Sequence, residues 1–141
     1  MITTGEIAAR MSGERLPLLT LEEFFEGNAR EDSLAPNRWG HGRPPLAEIA
    51  ARLRALLVFS DVVWVRVELH PDTESGEPEG VVLGESIVIC TTAPAADLEA
   101  RLDAEGLRSD GIVESDESSL DDACGIPPVV GHERIVFLVW D

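Results

Sequence analysis

The stretch PPLAEIAARLRALLVFSDVVWVRVELHP, residues 44–71, changes its hydrophobic period halfway along, and that change decides the fold class. Pro44 and Pro45 suit a helix start, because proline presets φ and its missing N–H is not needed in the first turn. Leu46, Ile49, Leu53, Leu56 and Leu57 then fall on one stripe at helical spacing, with Glu48 and Arg52 one turn apart on the other side. Ser60 and Asp61 break the pattern. From Val62 to His70 the period is two: Val63, Val65, Val67 and Leu69 point one way, and Val62, Trp64, Arg66, Glu68 and His70 the other. Pro71 removes a ladder donor and ends the strand. The leucine stripe needs a partner, and the valine face is the nearest one.

A thinner copy follows. A strand over 85–92, with Ile87 and Ile89 opposite Val88 and Cys90, is expected to pair with the first strand as a long-looped hairpin. Leu98 and Leu102 predict a second helix after Pro94, ending before Gly106. Ile112 and Val113 mark a weak strand. Residues 135–140 read as a central strand, apolar on both sides, with Phe137 and Val139 assigned to the helix-side core and Val136, Leu138 and Trp140 to the opposite face. Helix-strand-strand thus occurs twice. The expected fold is α+β, a four-stranded mainly antiparallel sheet with two helices on one face, in a circularly permuted ferredoxin-like order.

Ahead of this unit, Thr3 with Glu6 and Thr20 with Glu23 have capping-box spacing, and Leu19 is placed to staple onto Phe24. A short helix over 21–26 should stop at Gly27. Residues 1–43 are therefore read as an arm and polar loop packed on the sandwich of 44–141, one domain overall. The second sheet face would expose Trp64, Val88, Val136, Leu138 and Trp140, a patch that soluble monomers rarely leave bare. The arm, through Phe24 and Phe25, is the expected cover, with a homodimer contact as its supplement. Residues 114–122, acidic and rich in serine, are expected to be mobile.

The formal net charge is −16, almost all of it beyond residue 60. Such a field repels phosphate backbones, so nucleic acid is excluded as a partner and a basic protein suits better. No run approaches the roughly 18 apolar residues of a membrane span, and the N-terminus lacks the layout of a secretory signal; a cytoplasmic location is expected. Cys90 and Cys124 make no disulfide framework. His41, His70 and His132 lack short ligand spacing, and the acids between 72 and 79 lack an EF-hand pattern, so neither metal nor cofactor is expected. A reactive cysteine needs an electropositive setting, and Cys90 lies in the acidic half. No catalytic residue is assigned, and the chain reads as a non-enzyme.

Candidate binding residues come from two places. Arg38, Trp39, His41 and Arg43 lie in the polar loop 28–43; Arg and Trp are favoured at binding hot spots, and the cations could hold a carboxylate or phosphate. The competing reading is that these arginines neutralise the acidic second half of their own chain. Trp64 and Arg66 stand on the outer row of the first long strand. The expected function is a compact acidic interaction module, immunity- or inhibitor-like against a basic partner; the alternative is a small-molecule-binding domain or modest enzyme with its pocket near the 28–43 loop.

The phrase LTLEEFFEGN at 19–28, with SLAPN at 33–37 and the terminal VWD at 139–141, resembles a family of small acidic bacterial proteins with no established activity. The resemblance implies a shared fold and carries no site residue. It begins near residue 19, which leaves the first eighteen residues as an extension.

Overall fold

The computed structural model describes residues 1–115 and 117–140. Its α-helices are α1 (Thr4–Arg10), α2 (Leu21–Phe25), α3 (Leu46–Leu56) and α4 (Ala95–Leu102); its strands are β1 (Leu16–Pro17), β2 (Val62–Leu69), β3 (Gly84–Thr91), β4 (Ile112–Ser115), β5 (Ala123–Cys124) and β6 (Arg134–Val139). The fold is mixed α+β. A four-stranded antiparallel sheet runs in the order β2-β3-β6-β4, and β1 pairs in parallel with β5 beside it. None of the described helices is long and apolar enough to cross a membrane.

The helix-side core is the one the period change predicts. Leu46, Ile49, Leu53 and Leu56 of α3 pack with Val65, Val67, Ile87 and Ile89, and Leu98 and Leu102 of α4 join the same cluster. Three residues of the expected pattern lie elsewhere. Leu57 follows the end of α3 and is 44% exposed, and the β2–β3 register shift between Val62 and Trp64 leaves Val63 43% exposed and puts Val62, expected on the outer row, in the helix-side core. A bulge of this kind moves one residue out of the alternation.

The assignment of β6 is reversed. Residues directly opposite each other on neighbouring strands point to the same face, and β6 places Val136 opposite Ile89 and Leu138 opposite Ile87. Val136, Leu138 and Trp140 therefore belong to the helix-side core, while Ile135, Phe137 and Val139 join Trp64, Val88 and Cys90 on the back of the sheet.

The cover of that back face also differs from expectation. Phe24 and Phe25 pack edge to face into the helix-side core with Ile2, Ile7, Leu19 and Leu21. Local chemistry holds them there: Thr20 Oγ1 accepts from Glu23 N at 3.2 Å and Glu23 Oε1 accepts from Thr20 N at 2.9 Å, a complete capping box. Leu19 exchanges backbone hydrogen bonds with Val67 at 3.0 and 2.8 Å, which blunts the free edge of β2. The back face is covered instead by Leu18, Leu120, Ala123 and Val129. Part of the segment expected to be mobile is thus built into the structure, with Glu114 and Ser115 in β4 and Leu120 buried at 2% exposure. Asp116 in that segment, and Asp141 in the terminal VWD phrase, lie outside the described residues.

Gly84 shows how closely the arm is fitted. A Cβ at this position would stand 2.9 Å from Leu34 Cδ1, 3.1 Å from Phe24 Cζ and 3.2 Å from Val67 Cγ1. Gly84→Ala should therefore cost about 1–3 kcal/mol, the usual penalty of overpacking. Urea denaturation measures it; an unchanged midpoint would mean that those side chains have room to retreat.

Candidate functional site

The back of the sheet is only partly covered, and its open end forms a cleft of about 1210 Å³. Cross-strand register builds the floor: Glu68 of β2 faces Ser86 of β3, and Ser86 faces Val139 of β6. One wall is the turn carrying Ser12 to Arg15, closed by reciprocal backbone bonds between those two residues and turned at Gly13, whose φ is +63°. Asp122 and Ala123 form the other wall, and Glu85 stands at the rim.

Glu68 is the distinctive group. Its Oε1 accepts a 2.8 Å hydrogen bond from Ser86 Oγ, and Ser86 is only 3% exposed. Burial raises the Glu68 pKa above the ordinary value of 4.5, the hydrogen bond from Ser86 pulls it down, and the charges of Glu85 and Asp122 push it up again. Among the described residues the neighbouring charges that shift this half-buried carboxylate are those of Glu85 and Asp122, both acidic. Arg15 on the wall supplies positive charge to the same cleft.

None of the six binding residues picked from the sequence lines this cleft. Arg38, Trp39, His41 and Arg43 stay together in a loop that hydrogen-bonds to itself, from Arg38 and Trp39 N–H to Ala35 C=O and from His41 and Arg43 N–H to Arg38 C=O. Arg38 reaches Asp110 with Nη2 at 3.1 and 3.3 Å from its two carboxylate oxygens, the internal neutralisation weighed against ligand binding. Arg43 is buried beneath Trp39, its Cζ 4.6 Å from the ring centroid, and Nη2 donates to the Glu31 carbonyl. Burial lowers its pKa, against the charges of Glu31 and Asp32.

Trp64 and Arg66 lie on the back face, away from that loop in sequence and element. Trp64 is 6% exposed and its Nε1 donates to Pro128 C=O at 3.2 Å. Arg66 stands with Cζ 5.8 Å from the Trp64 ring centroid and donates to Val65 C=O at 2.9 Å; burial lowers its pKa and the charge of Glu23 raises it. The residue the sequence reading passed over is Glu68. It sat in the same outer row, and only the walls around it distinguish it from an exposed strand glutamate. Among the described residues no group of three His, Cys, Asp or Glu side chains could hold a metal ion.

The fold and cleft define a class: a small α+β protein of strongly negative charge with an acidic cleft on the back of its sheet. The model of the uncharacterized protein YfbO family matches residues 2–138, and the chain belongs to that family. The match takes in most of the first eighteen residues, which are therefore part of the shared unit and not an extension of it. No curated protein and no solved structure matches the chain.

Proposed function

We propose that this protein works by binding, and that the back-face cleft receives a cationic side chain from a basic protein partner. The observation that carries the reading is Glu68, a half-buried carboxylate flanked by Glu85 and Asp122 on the floor of a cleft. A lysine or arginine placed there relieves the mutual repulsion of the acids, and the net charge of −16 steers such a partner from a distance. The sheet order β2-β3-β6-β4 further supports reading residues 44–141 as a permuted ferredoxin-like sandwich. In that reading residues 1–43 are an integral part of a single domain.

An oligoarginine peptide is the probe, titrated by calorimetry at two salt concentrations. Glu68→Gln should weaken binding by about tenfold or more, since it removes one partner of a poorly solvated charge pair. Glu105→Gln deletes the same charge outside the cleft and serves as control. Equal losses in both variants would reduce the effect to net charge and sink the cleft as the site.

Acid titration gives a second, signed check. Because the folded Glu68 pKa is raised, the stability linked to it is fully present below the ordinary value of 4.5 and is lost as pH rises through the folded value. Glu68→Gln should therefore raise the melting temperature at neutral pH and match the wild type where Glu68 is protonated. Peptide binding should run the other way and weaken on acidification. A Glu68→Gln protein less stable than wild type at pH 7 would mean that the carboxylate is already well paired.

A further inference from the structure

An unusual arrangement lies outside the cleft, in the corner built by the 28–43 loop at the start of α3. Arg43 has a side chain with no exposed surface, and among the described residues nothing accepts from its Nε or Nη1. Buried donors without acceptors are uncommon and costly. The guanidinium is closed off by Trp39, which is itself 38% exposed and held in a turn made by Gly40 and Gly42 at φ of +86° and +103°. Glu31 displays what the corner accepts. Its Oε1 takes the Leu46 N–H at 3.0 Å and lies 3.5 Å from Arg43 Nη2, so one carboxylate of the chain already sits between the first turn of α3 and the arginine.

From these contacts we infer that Trp39 and Arg43 form a covered anion site for a small organic carboxylate, which enters as Trp39 swings away and accepts from Arg43 Nε and Nη1. The class is a carboxylate and not a phosphate for two reasons. The nearest helix N-terminal donor, Leu46 N–H, is already taken by Glu31 and is not free to hold an additional phosphate oxygen. Each further negative charge on a ligand is also opposed by the field of a chain carrying −16. Trp39 then acts as both lid and reporter, because Trp64 and Trp140 are buried at 6% and 8% exposure.

The test titrates sodium acetate, and separately sodium phosphate, at fixed ionic strength while following the Arg43 Nε–H resonance and tryptophan emission. The expected result is a saturable shift of that resonance in acetate with a millimolar Kd, accompanied by a change in Trp39 emission. Arg30, whose exposed Nε pairs with Asp32 at 2.9 Å, is the internal control and should drift without saturating. Trp39→Ala removes the lid while leaving the guanidinium in place. It should tighten acetate binding roughly two- to fivefold, because no cation–π contact is then broken on entry. Arg43→Lys should abolish the response; if that variant does not fold, Trp39→Ala alone decides. Absence of a saturable Arg43 shift in both the wild type and Trp39→Ala overturns the site. Phosphate binding as tightly as acetate overturns the carboxylate class, and weaker acetate binding by Trp39→Ala overturns the lid.

Discussion

Phe24→Ala should destabilise the protein by about 3–5 kcal/mol, the range for deleting a buried phenyl ring. Phe24 has no exposed surface and belongs to the cluster that contains Ile49, Leu53 and Val67, so its removal leaves a void between the N-terminal arm and the helix side of the sheet. The ring also stands within reach of Gly84, a position with no side chain to swing into the space. Relaxation is therefore limited and the cost should fall in the upper part of the range. Removing residues 1–28 goes further. It strips Ile7, Leu19, Leu21, Phe24 and Phe25 from the core and leaves Val67 without the backbone partner that closes the β2 edge. That truncation should abolish cooperative unfolding, read by urea denaturation with far-UV circular dichroism. A Phe24→Ala loss under about 0.5 kcal/mol, the level of ordinary surface substitutions, would place the arm outside the core.

The parts of the fold that were legible in the sequence are those where one side of an element differs from the other. The stripe of α3, the alternation of β2 and the Thr20–Glu23 box each set an apolar or hydrogen-bonding group against a contrasting neighbour; the box formed as read, and the stripe and the alternation did so apart from Leu57 and the Val62–Val63 end of β2. β6 offers no such contrast. Ile135, Val136, Phe137, Leu138 and Val139 are apolar in sequence, so the period marks a strand without saying which residues face the helices; only pairing with Ile87 and Ile89 does that. The displaced Val63 has the same origin, since a bulge is set by the partner strand.

The candidate site was less legible still. Glu68 is an ordinary strand residue until the Ser12–Arg15 turn and the 122–123 wall withdraw water from it, and β1 and β5, which bring those walls together, are two residues each. Such strands are too short to show a period. Arg43 presents the opposite case: composition marked its loop as a candidate, but the burial that leaves Nε and Nη1 without an acceptor among the described residues is a property of the folded corner alone. Charge and residue type pointed to recognition as an expectation, and only the tertiary walls mark the cleft proposed for it.

Trp64→Ala tests whether the back face is held together by the segment that now covers it. Trp64 is 6% exposed, packs in one cluster with Leu18, Val88, Leu120 and Phe137, and donates from Nε1 to Pro128 C=O at 3.2 Å. Truncation removes a side chain that buries about 150–250 Å² and leaves the Pro128 carbonyl without its partner, so the expected loss is about 3–5 kcal/mol. Trp64→Phe separates the two contributions. It retains most of the apolar contact and deletes the hydrogen bond, which contributes about 0.5–1.5 kcal/mol. Amide exchange then locates the effect. In Trp64→Ala the amides near Val129 and Val130 should exchange much faster while those of Val65 and Val67, on the helix-side core, stay slow relative to global unfolding. If exchange rises equally on both faces, the sheet and its cover unfold as one unit, and the 117–133 segment is as much a part of the core as α3. If neither stability nor exchange changes, Trp64 does not anchor the cover, and the packing of Leu120 and Ala123 against Val88 and Phe137 must carry it alone.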